Sequence, residues 1–293
     1  MICVDWGTSS LRGARLSDDG AVIEERAFAR GILTVPEGEF RAVFDAHFGD
    51  WMAQAGALCL ISGMAGSKQG WVEAPYCACP ASLANVAAQV RWVQPGRIAI
   101  VPGLSCESEG APDVMRGEET QVFGALRLLG IDAGTLVLPG THSKWVRVEA
   151  GLIVEFATLM TGEFYALLRT HSILARTLPA DDDGAFEAEA FDAGVAHALR
   201  SPGLLQSAFS VRTLALFDRL AERERASYLS GVVIGEELRT RALAGVEPVV
   251  VIGAEALTQR YERALAHCGV RAQTIGAQAT WHGLHEIAQR IAA

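Results

Sequence analysis

One carboxylate, a glycine, three hydroxyls and an arginine succeed one another in Asp5-Trp6-Gly7-Thr8-Ser9-Ser10-Leu11-Arg12. That order suits phosphate chemistry. Gly7 can adopt backbone angles closed to other residues, so the amides and hydroxyls of Thr8, Ser9 and Ser10 can close on an anion while Asp5 orders a hydrated magnesium ion. Taken alone, the segment reads as an ordinary hairpin with polar turn residues.

A second copy changes the weight of the first. Gly140-Thr141-His142-Ser143 repeats Gly7-Thr8-Ser9-Ser10, again after an apolar strand (135–138) and before an alternating one (145–148). The likeness runs on: Ser17-Asp18-Asp19-Gly20 leads into Ala21-Val22-Ile23-Glu24, and Glu149-Ala150-Gly151 leads into Leu152-Ile153-Val154-Glu155. Two such β-meanders predict two related domains, 1–130 and 131–293, gripping a nucleotide between opposed phosphate loops. The second copy has Leu138-Pro139 where the first has Asp5-Trp6, so only the first supplies a metal-directed carboxylate.

Two further stretches carry chemistry. In Met115-Arg116-Gly117-Glu118-Glu119-Thr120-Gln121, Gly117 precedes a helix running to about Leu129, which sets Glu118 and Glu119 in its first turn. Acids there suit the helix dipole on any surface, and equally suit a carboxylate that deprotonates an attacking hydroxyl, with Arg116 gripping an acidic substrate. Ser62-Gly63-Met64-Ala65-Gly66-Ser67-Lys68-Gln69-Gly70-Trp71 follows a short buried strand (58–61) and reads as a binding loop at a strand's end. Lys68 and Lys144 are the chain's two lysines, and both lie in glycine-containing loops where a cation meets phosphate or carboxylate. A weaker signal is Val251-Ile252-Gly253-Ala254, a strand turning at glycine into a helix, against which an adenine can lie.

These residues need elements to hold them. Aromatic residues at helical spacing from Glu37 to Gln54 predict a helix whose His47 is packed rather than a ligand. Helices are also predicted over Ser82 to Trp92, after the Met160-Thr161-Gly162-Glu163-Phe164 loop to Leu168, across much of Phe186 to Leu243 with a break at Ser201-Pro202-Gly203, over Thr258 to Cys268 and over His282 to Ile291. Strands are predicted at Arg97 to Val101, followed by a Pro102-Gly103 turn, and at Val270 to Ile275, and Pro75 to Pro80 reads as an irregular link. Asp181-Asp182-Asp183-Gly184 reads as a solvated turn, and Gly231 and Gly235 as a close helix contact.

Composition excludes several classes. The 293 residues give room for two modest domains, and with half of them hydrophobic the chain is not disordered. A net charge of −9 without a basic run argues against a nucleic-acid groove. No apolar stretch approaches a membrane span, and the first strand starts at once, so the expectation is a cytoplasmic protein without a membrane partner. The six scattered cysteines read as reduced and buried. The chain has no Gly-Lys pair and no Gly-x-Gly-x-x-Gly, which rules out a Walker-type loop and a dinucleotide fingerprint.

The three turns around Gly7, Gly140 and Gly253, in that order, resemble the sugar kinase, Hsp70 and actin superfamily. More narrowly, Met115 to Gln121, Leu138-Pro139-Gly140-Thr141-His142-Ser143-Lys144-Trp145, Met160 to Glu163, and Gly63 to Ser67 with Gly70-Trp71 are similar to the 2-dehydro-3-deoxygalactonokinase family. The chain departs from the superfamily in having Gly253-Ala254 for a glycine pair, and Lys68 lies outside the family pattern. The resemblance implies an α/β protein of two ribonuclease H-like (actin/hexokinase-type) domains, the last helix packing back on the first. It implies transfer of a phosphoryl group from ATP with Mg²⁺ to 2-dehydro-3-deoxy-D-galactonate in galactonate catabolism. On that reading Asp5 orients the metal, and Gly7, Thr8, Ser9, Gly140, Thr141, Ser143 and Lys144 bind phosphates. Arg12 bridges phosphate and substrate, and Gly253 and Ala254 meet adenosine. Glu118, or Glu119 in second place, is the base, and Ser67, Lys68, Trp71 and Arg116 hold the sugar acid. The alternatives are a kinase of the same fold for another sugar acid or hexose, and a non-enzymatic sugar or nucleotide sensor. A homodimer is left open.

Overall fold

The computed structural model describes residues 1–108, 110–179, 186–243, 245–246 and 248–291. The leading apolar run forms β1 (Ile2–Trp6), and the alternating segments after it form β2 (Leu11–Leu16) and β3 (Val22–Phe28). The aromatic stripe becomes α1 (Phe40–Met52), followed by β4 (Cys59–Gly63), β5 (Tyr76–Ala78), α2 (Leu83–Ala88), β6 (Arg91–Gln94) and β7 (Ile98–Ile100). Then come β8 (Gly103–Ser108), β9 (Ala111–Met115) and α3 (Glu118–Leu129), closed by Gly130 in the left-handed conformation.

The second half repeats the plan with β10 (Gly134–Leu138), β11 (Ser143–Glu149), β12 (Leu152–Leu159) and α4 (Thr161–His171). A helical insertion follows, α5 (Ala188–Arg200), α6 (Leu204–Ser207), α7 (Ser210–Leu216) and α8 (Glu222–Arg239). The chain ends with β13 (Val249–Ile252), α9 (Glu255–His267), β14 (Ala272–Ile275) and α10 (Gln278–Ile291).

The larger sheet has strand order β3-β2-β1-β4-β7-β6 and the next β12-β11-β10-β13-β14. In the first, an antiparallel meander is extended on its first strand by a later one, and the second has the same pattern of neighbours, so the repeated turns sit at equivalent corners of one topology. This is the two-domain actin-like fold. The contacts divide the chain into two compact units, and the division falls inside β10, β11 and β12 rather than at residue 130. The first unit also takes the chain from Ile275 onward, so α10 belongs with the N-terminal elements.

Three readings need correction. The helix expected over Ser82 to Trp92 stops at Ala88, and Trp92 lies in β6, which pairs antiparallel with β7. The Pro75 to Pro80 link contains β5, and Gly103 opens β8 rather than only turning the chain. With β9 these form a three-stranded sheet that short, non-alternating segments did not announce. Thr161 to Phe164 are the first turn of α4, not a loop before it. The acidic run 181–184 lies outside the described residues.

The first unit's core is aromatic. Trp6 meets Phe40 and Trp71 edge to face, and Phe44 and Phe48 are fully buried among them; burying each contributes on the order of 2 kcal/mol. In the second unit Gly231 and Gly235 of α8 lie against the α5 backbone, a Cβ on Gly231 falling 2.1 Å from Phe191 O, which is the close helix contact expected of them. Among the described residues no helix is long and apolar enough to cross a membrane, and all six cysteines are free thiols.

Candidate active site

The strand pairing brings the first motif's polar residues together. Asp5 pairs across β1 with Arg12 of β2 and, on the other side, with Ser62 of β4, so the three side chains share one face at the end of the sheet. Arg12 Nη2 donates to Asp5 Oδ2 at 2.5 Å, and its guanidinium lies 5.7 Å from the Trp281 ring of α10. Trp6, pointing the opposite way, is buried and donates Nε1–H to Arg30 O. Gly7 N–H donates to Ser10 O and closes a tight bend on which Thr8, Ser9 and Ser10 are exposed. The segment after Arg30 braces this bend, with Ile32 N–H donating to Gly7 O at 3.0 Å.

Two glycines then allow the acidic helix to reach the same place. Gly63 (φ +93°) ends β4, and a Cβ there would lie 2.8 Å from Trp6 O and 3.3 Å from Asp5 Oδ1. Gly117 (φ +108°) opens α3, and a Cβ there would lie 3.3 Å from the Gly63 Cα. Backbone therefore touches backbone between the end of β4 and the start of α3, beside Asp5. The two glutamates separate at this point. Glu119 is fully buried, accepting Gly117 N–H at 2.7 Å on Oε2 and the Thr120 hydroxyl at 3.0 Å on Oε1. Thr120 in turn meets Ser62 Oγ at 2.9 Å. Burial, reinforced by neighbouring Glu118, pushes the Glu119 carboxyl up to about 8. Glu118 is half-buried, and its Oε2 accepts Arg116 N–H at 2.9 Å. Of the pair, Glu118 is the one with access to a ligand.

The other substrate candidates divide. Lys68 and Trp71 line, with Val35, Glu37, Phe40 and Gln69, a cavity of about 540 Å³ next to the braced bend. Trp71 also serves the core through Trp6 and Phe44. Ser67 Oγ is buried without a hydrogen-bond partner. Arg116 stacks 4.4 Å over Tyr76 and donates Nη2–H to Ala74 O, while its Nε and Nη1 are buried and unpartnered.

The second motif's residues separate in the same way. Gly140 and Thr141 remain open at the bend, and Gly162 packs on them so closely that a Cβ would fall 2.4 Å from Gly140 O. Glu163 N–H donates to Thr141 O, and His142 Nε2 pairs with Glu163 Oε2 at 2.5 Å. Ser143, expected on phosphate, is instead fully buried and donates Oγ–H to Glu237 Oε1 at 2.8 Å. Lys144 also points inward, its Nζ donating to Thr158 Oγ1 at 2.8 Å. They are consecutive in β11 and so lie on opposite faces, both of which are covered at the start of this strand. Pro139, Gly140, Thr161, Gly162, Tyr165, Leu257, Arg260 and Tyr261 line a mostly apolar cleft beside this bend. Gly253, at the start of the α9 turn, lies near Pro139 O.

The family model described as 2-keto-3-deoxy-galactonokinase matches residues 5–287. The chain belongs to that family. It is 38% identical over 295 residues to "Probable 2-dehydro-3-deoxygalactonokinase DgoK1" of Rhizobium meliloti (strain 1021), covering 98% of this chain and 96% of that protein. It is 32% identical over 294 residues to the 2-dehydro-3-deoxygalactonokinase of Escherichia coli (strain K12), covering 99% and 98%. A crystal structure from Sinorhizobium meliloti, described as a 2-dehydro-3-deoxygalactonokinase protein, superposes with a TM-score of 0.91 at 38% identity over 99% of this chain and 98% of that one. The (R)-2-hydroxyglutaryl-CoA dehydratase component A of Acidaminococcus fermentans, at 14% identity and a TM-score of 0.56, shares the fold alone.

Within the family's matched span, sequence reasoning gives no role of its own to Ser62 or Thr120, which lie in the quoted motifs, and does not single out Glu237 or Tyr261. Glu237 had a signal: a carboxylate on the stripe of α8 that otherwise reads Leu229, Val233, Ile234 and Leu238. Ser62 becomes visible only through its register with Asp5.

Proposed function

We propose that this chain transfers the terminal phosphoryl group of ATP to the 6-hydroxyl of 2-dehydro-3-deoxy-D-galactonate, acting in the cytoplasm. The observation that carries this reading is the meeting of Asp5, Ser62 and the start of α3, with Glu118 accessible and Glu119 sealed beneath it. Glu118 takes the proton from the attacking hydroxyl, whose oxygen bonds to the γ-phosphorus as the bond to the β,γ-bridging oxygen breaks and ADP leaves.

Charge is met locally. Each open bend offers hydroxyls and backbone amides to a phosphate, from Thr8 and Ser9 at the first and from Gly140 and Thr141 at the second. Arg12, held by Asp5, lies at the start of the strand that follows the first bend and supplies a cation beside it. Adenosine lies against Gly253 and Ala254, in the cleft lined by Gly140, Gly162, Leu257 and Arg260. The described residues contain no cluster of three or more acidic, histidine or cysteine ligands. A single carboxylate fits magnesium, which keeps most of its water and is bound through one or two carboxylates plus phosphate. Asp5 would hold it through water, and when bound it neutralises charge on the β- and γ-oxygens. Lys68, which lines the 540 Å³ cavity, pairs with the substrate's carboxylate.

The test is a coupled ADP-release assay on the purified chain across a panel of sugar acids. Fast ADP release with the galactonate-derived keto acid, and little with its gluconate-derived epimer, is the expected result. A reversed preference reassigns the substrate within the same chemistry. ADP release that no sugar acid accelerates overturns the reading.

A further inference from the structure

In the interior of the second unit one carboxylate is surrounded by four neutral donors. Glu237 of α8 is 2% exposed. Its Oε1 accepts Ser143 Oγ–H at 2.8 Å and Trp145 Nε1–H at 2.6 Å; its Oε2 accepts the Tyr261 hydroxyl at 2.8 Å and, closer still, that of Thr161. Two oxygens with about four acceptor positions are thus fully used. Burial and the adjacent carboxylate push the Tyr261 phenol well above its ordinary range, so it stays a donor.

The sources of those donors give the cluster its meaning. Ser143 and Trp145 follow the Gly140–Thr141 bend directly on β11. Thr161 opens α4, and its neighbour Gly162 lies against that bend. Tyr261 belongs to α9, the helix that begins after Gly253–Ala254. Thr161 and Tyr261 also line the cleft beside the bend. A buried charge is costly to desolvate, and apolar side chains of the same volume would pack a core at least as well. A carboxylate gives what they lack: fixed directions toward four partners at once, one of which, the indole N–H, cannot rotate into any other role.

We propose that Glu237 is a positioning residue for the nucleotide: it locks the Gly140–Thr141 bend, the start of α4 and α9 into the arrangement that receives ATP, without touching ATP itself. This rests on the kinase reading above and deepens it.

The replacement Glu237→Gln discriminates. The glutamine carbonyl oxygen still accepts from Trp145 and Ser143, while its amide N–H groups face the Thr161 and Tyr261 hydroxyls, which can rotate to accept. The core survives, but half the cluster reverses polarity. ADP affinity by calorimetry, KM for ATP, KM for the sugar acid and the melting temperature would be measured on full-length wild type, E237Q, T161V, T161S and Y261F. We expect ADP affinity to fall at least tenfold in E237Q, with KM for ATP rising in step and KM for the sugar acid within about twofold of wild type. T161V should follow E237Q to a smaller extent, and T161S, which keeps the hydroxyl, should restore wild-type values.

Equal ADP affinity in E237Q and wild type overturns the proposal and leaves the kinase reading standing. So does a fall in melting temperature with a parallel rise of both KM values in E237Q, T161V and Y261F, the pattern of a residue that only holds the fold. Wild-type protein that binds no ADP overturns both.

Discussion

Adjacent in the chain, Glu118 and Glu119 meet different surroundings, and the difference can be measured in two ways. Glu118→Gln keeps shape and hydrogen-bonding to Arg116 N–H but cannot take a proton. Its kcat should fall by about 10²–10⁴ while ADP affinity is retained, read by steady-state kinetics and calorimetry; near-normal turnover would remove Glu118 from the base's role. Glu119 is raised from 4.5 to about 8, so the native chain keeps a proton that the unfolded chain releases as pH rises. That contribution is complete below pH 4.5 and is lost as pH climbs through 8. Between about pH 5 and about pH 8 wild type should therefore lose stability on the order of a few kcal/mol relative to Glu119→Gln, which mimics the neutral acid. Denaturant titrations at the two pH values check it, and a constant difference between the two proteins would contradict the burial argument. The residue types were legible in the sequence; their burial was not. Thr141 and Ser143 look alike as letters, yet one lies on an open bend and the other inside, because the strand begins between them.

At the scale of elements, α3 is held from behind by α10. A Cβ on Gly283 would fall 1.9 Å from Thr120 O, and one on Gly124 would fall 1.8 Å from Ala279 O, so each glycine admits the other helix's backbone. Gly283→Ala must push the helices apart at the residue that joins Glu119 to Ser62, and should destabilise by about 1–3 kcal/mol with a parallel loss of kcat. Gly49→Ala, in α1 with only its own helix nearby, should be neutral or stabilising by about 0.5–1 kcal/mol. Denaturation and turnover of the two variants decide it; equal effects would mean that the α3–α10 contact is not tight. Most elements could be placed from periodicity, since α1, α3 and the two meanders repeat apolar residues at clear helical or strand spacing. Strands β5, β8 and β9 could not: β5 is three residues long, and β9 begins with Ala111-Pro112-Asp113, poor strand formers. Trp92 was misplaced because an apolar residue after a helical run fits either period.

For the whole molecule, the duplication could be read because each half carries its own turn and meander, and the strand orders bear it out. What no local pattern reveals is the path of the chain between units, which depends on contacts between residues far apart in sequence. The return of α10 to the first unit, expected above only through the family resemblance, is the main instance. It buries Ala279, Trp281, Leu284, Ile287 and Ala288, and Trp281 Nε1 donates to Glu25 of β3. A helix the length of α3 is marginal in water without such a partner. A chain stopped after Gly276 keeps every residue proposed for phosphate, metal, base or sugar acid, yet should turn over no substrate. Its α3 amides should exchange hydrogen rapidly, while those of α8, packed on α5 in the other unit, stay protected. If α3 remained as protected as in the full chain and turnover survived, the first unit would be complete without its last helix, and the α3–α10 contact would have no part in holding the acidic pair in place.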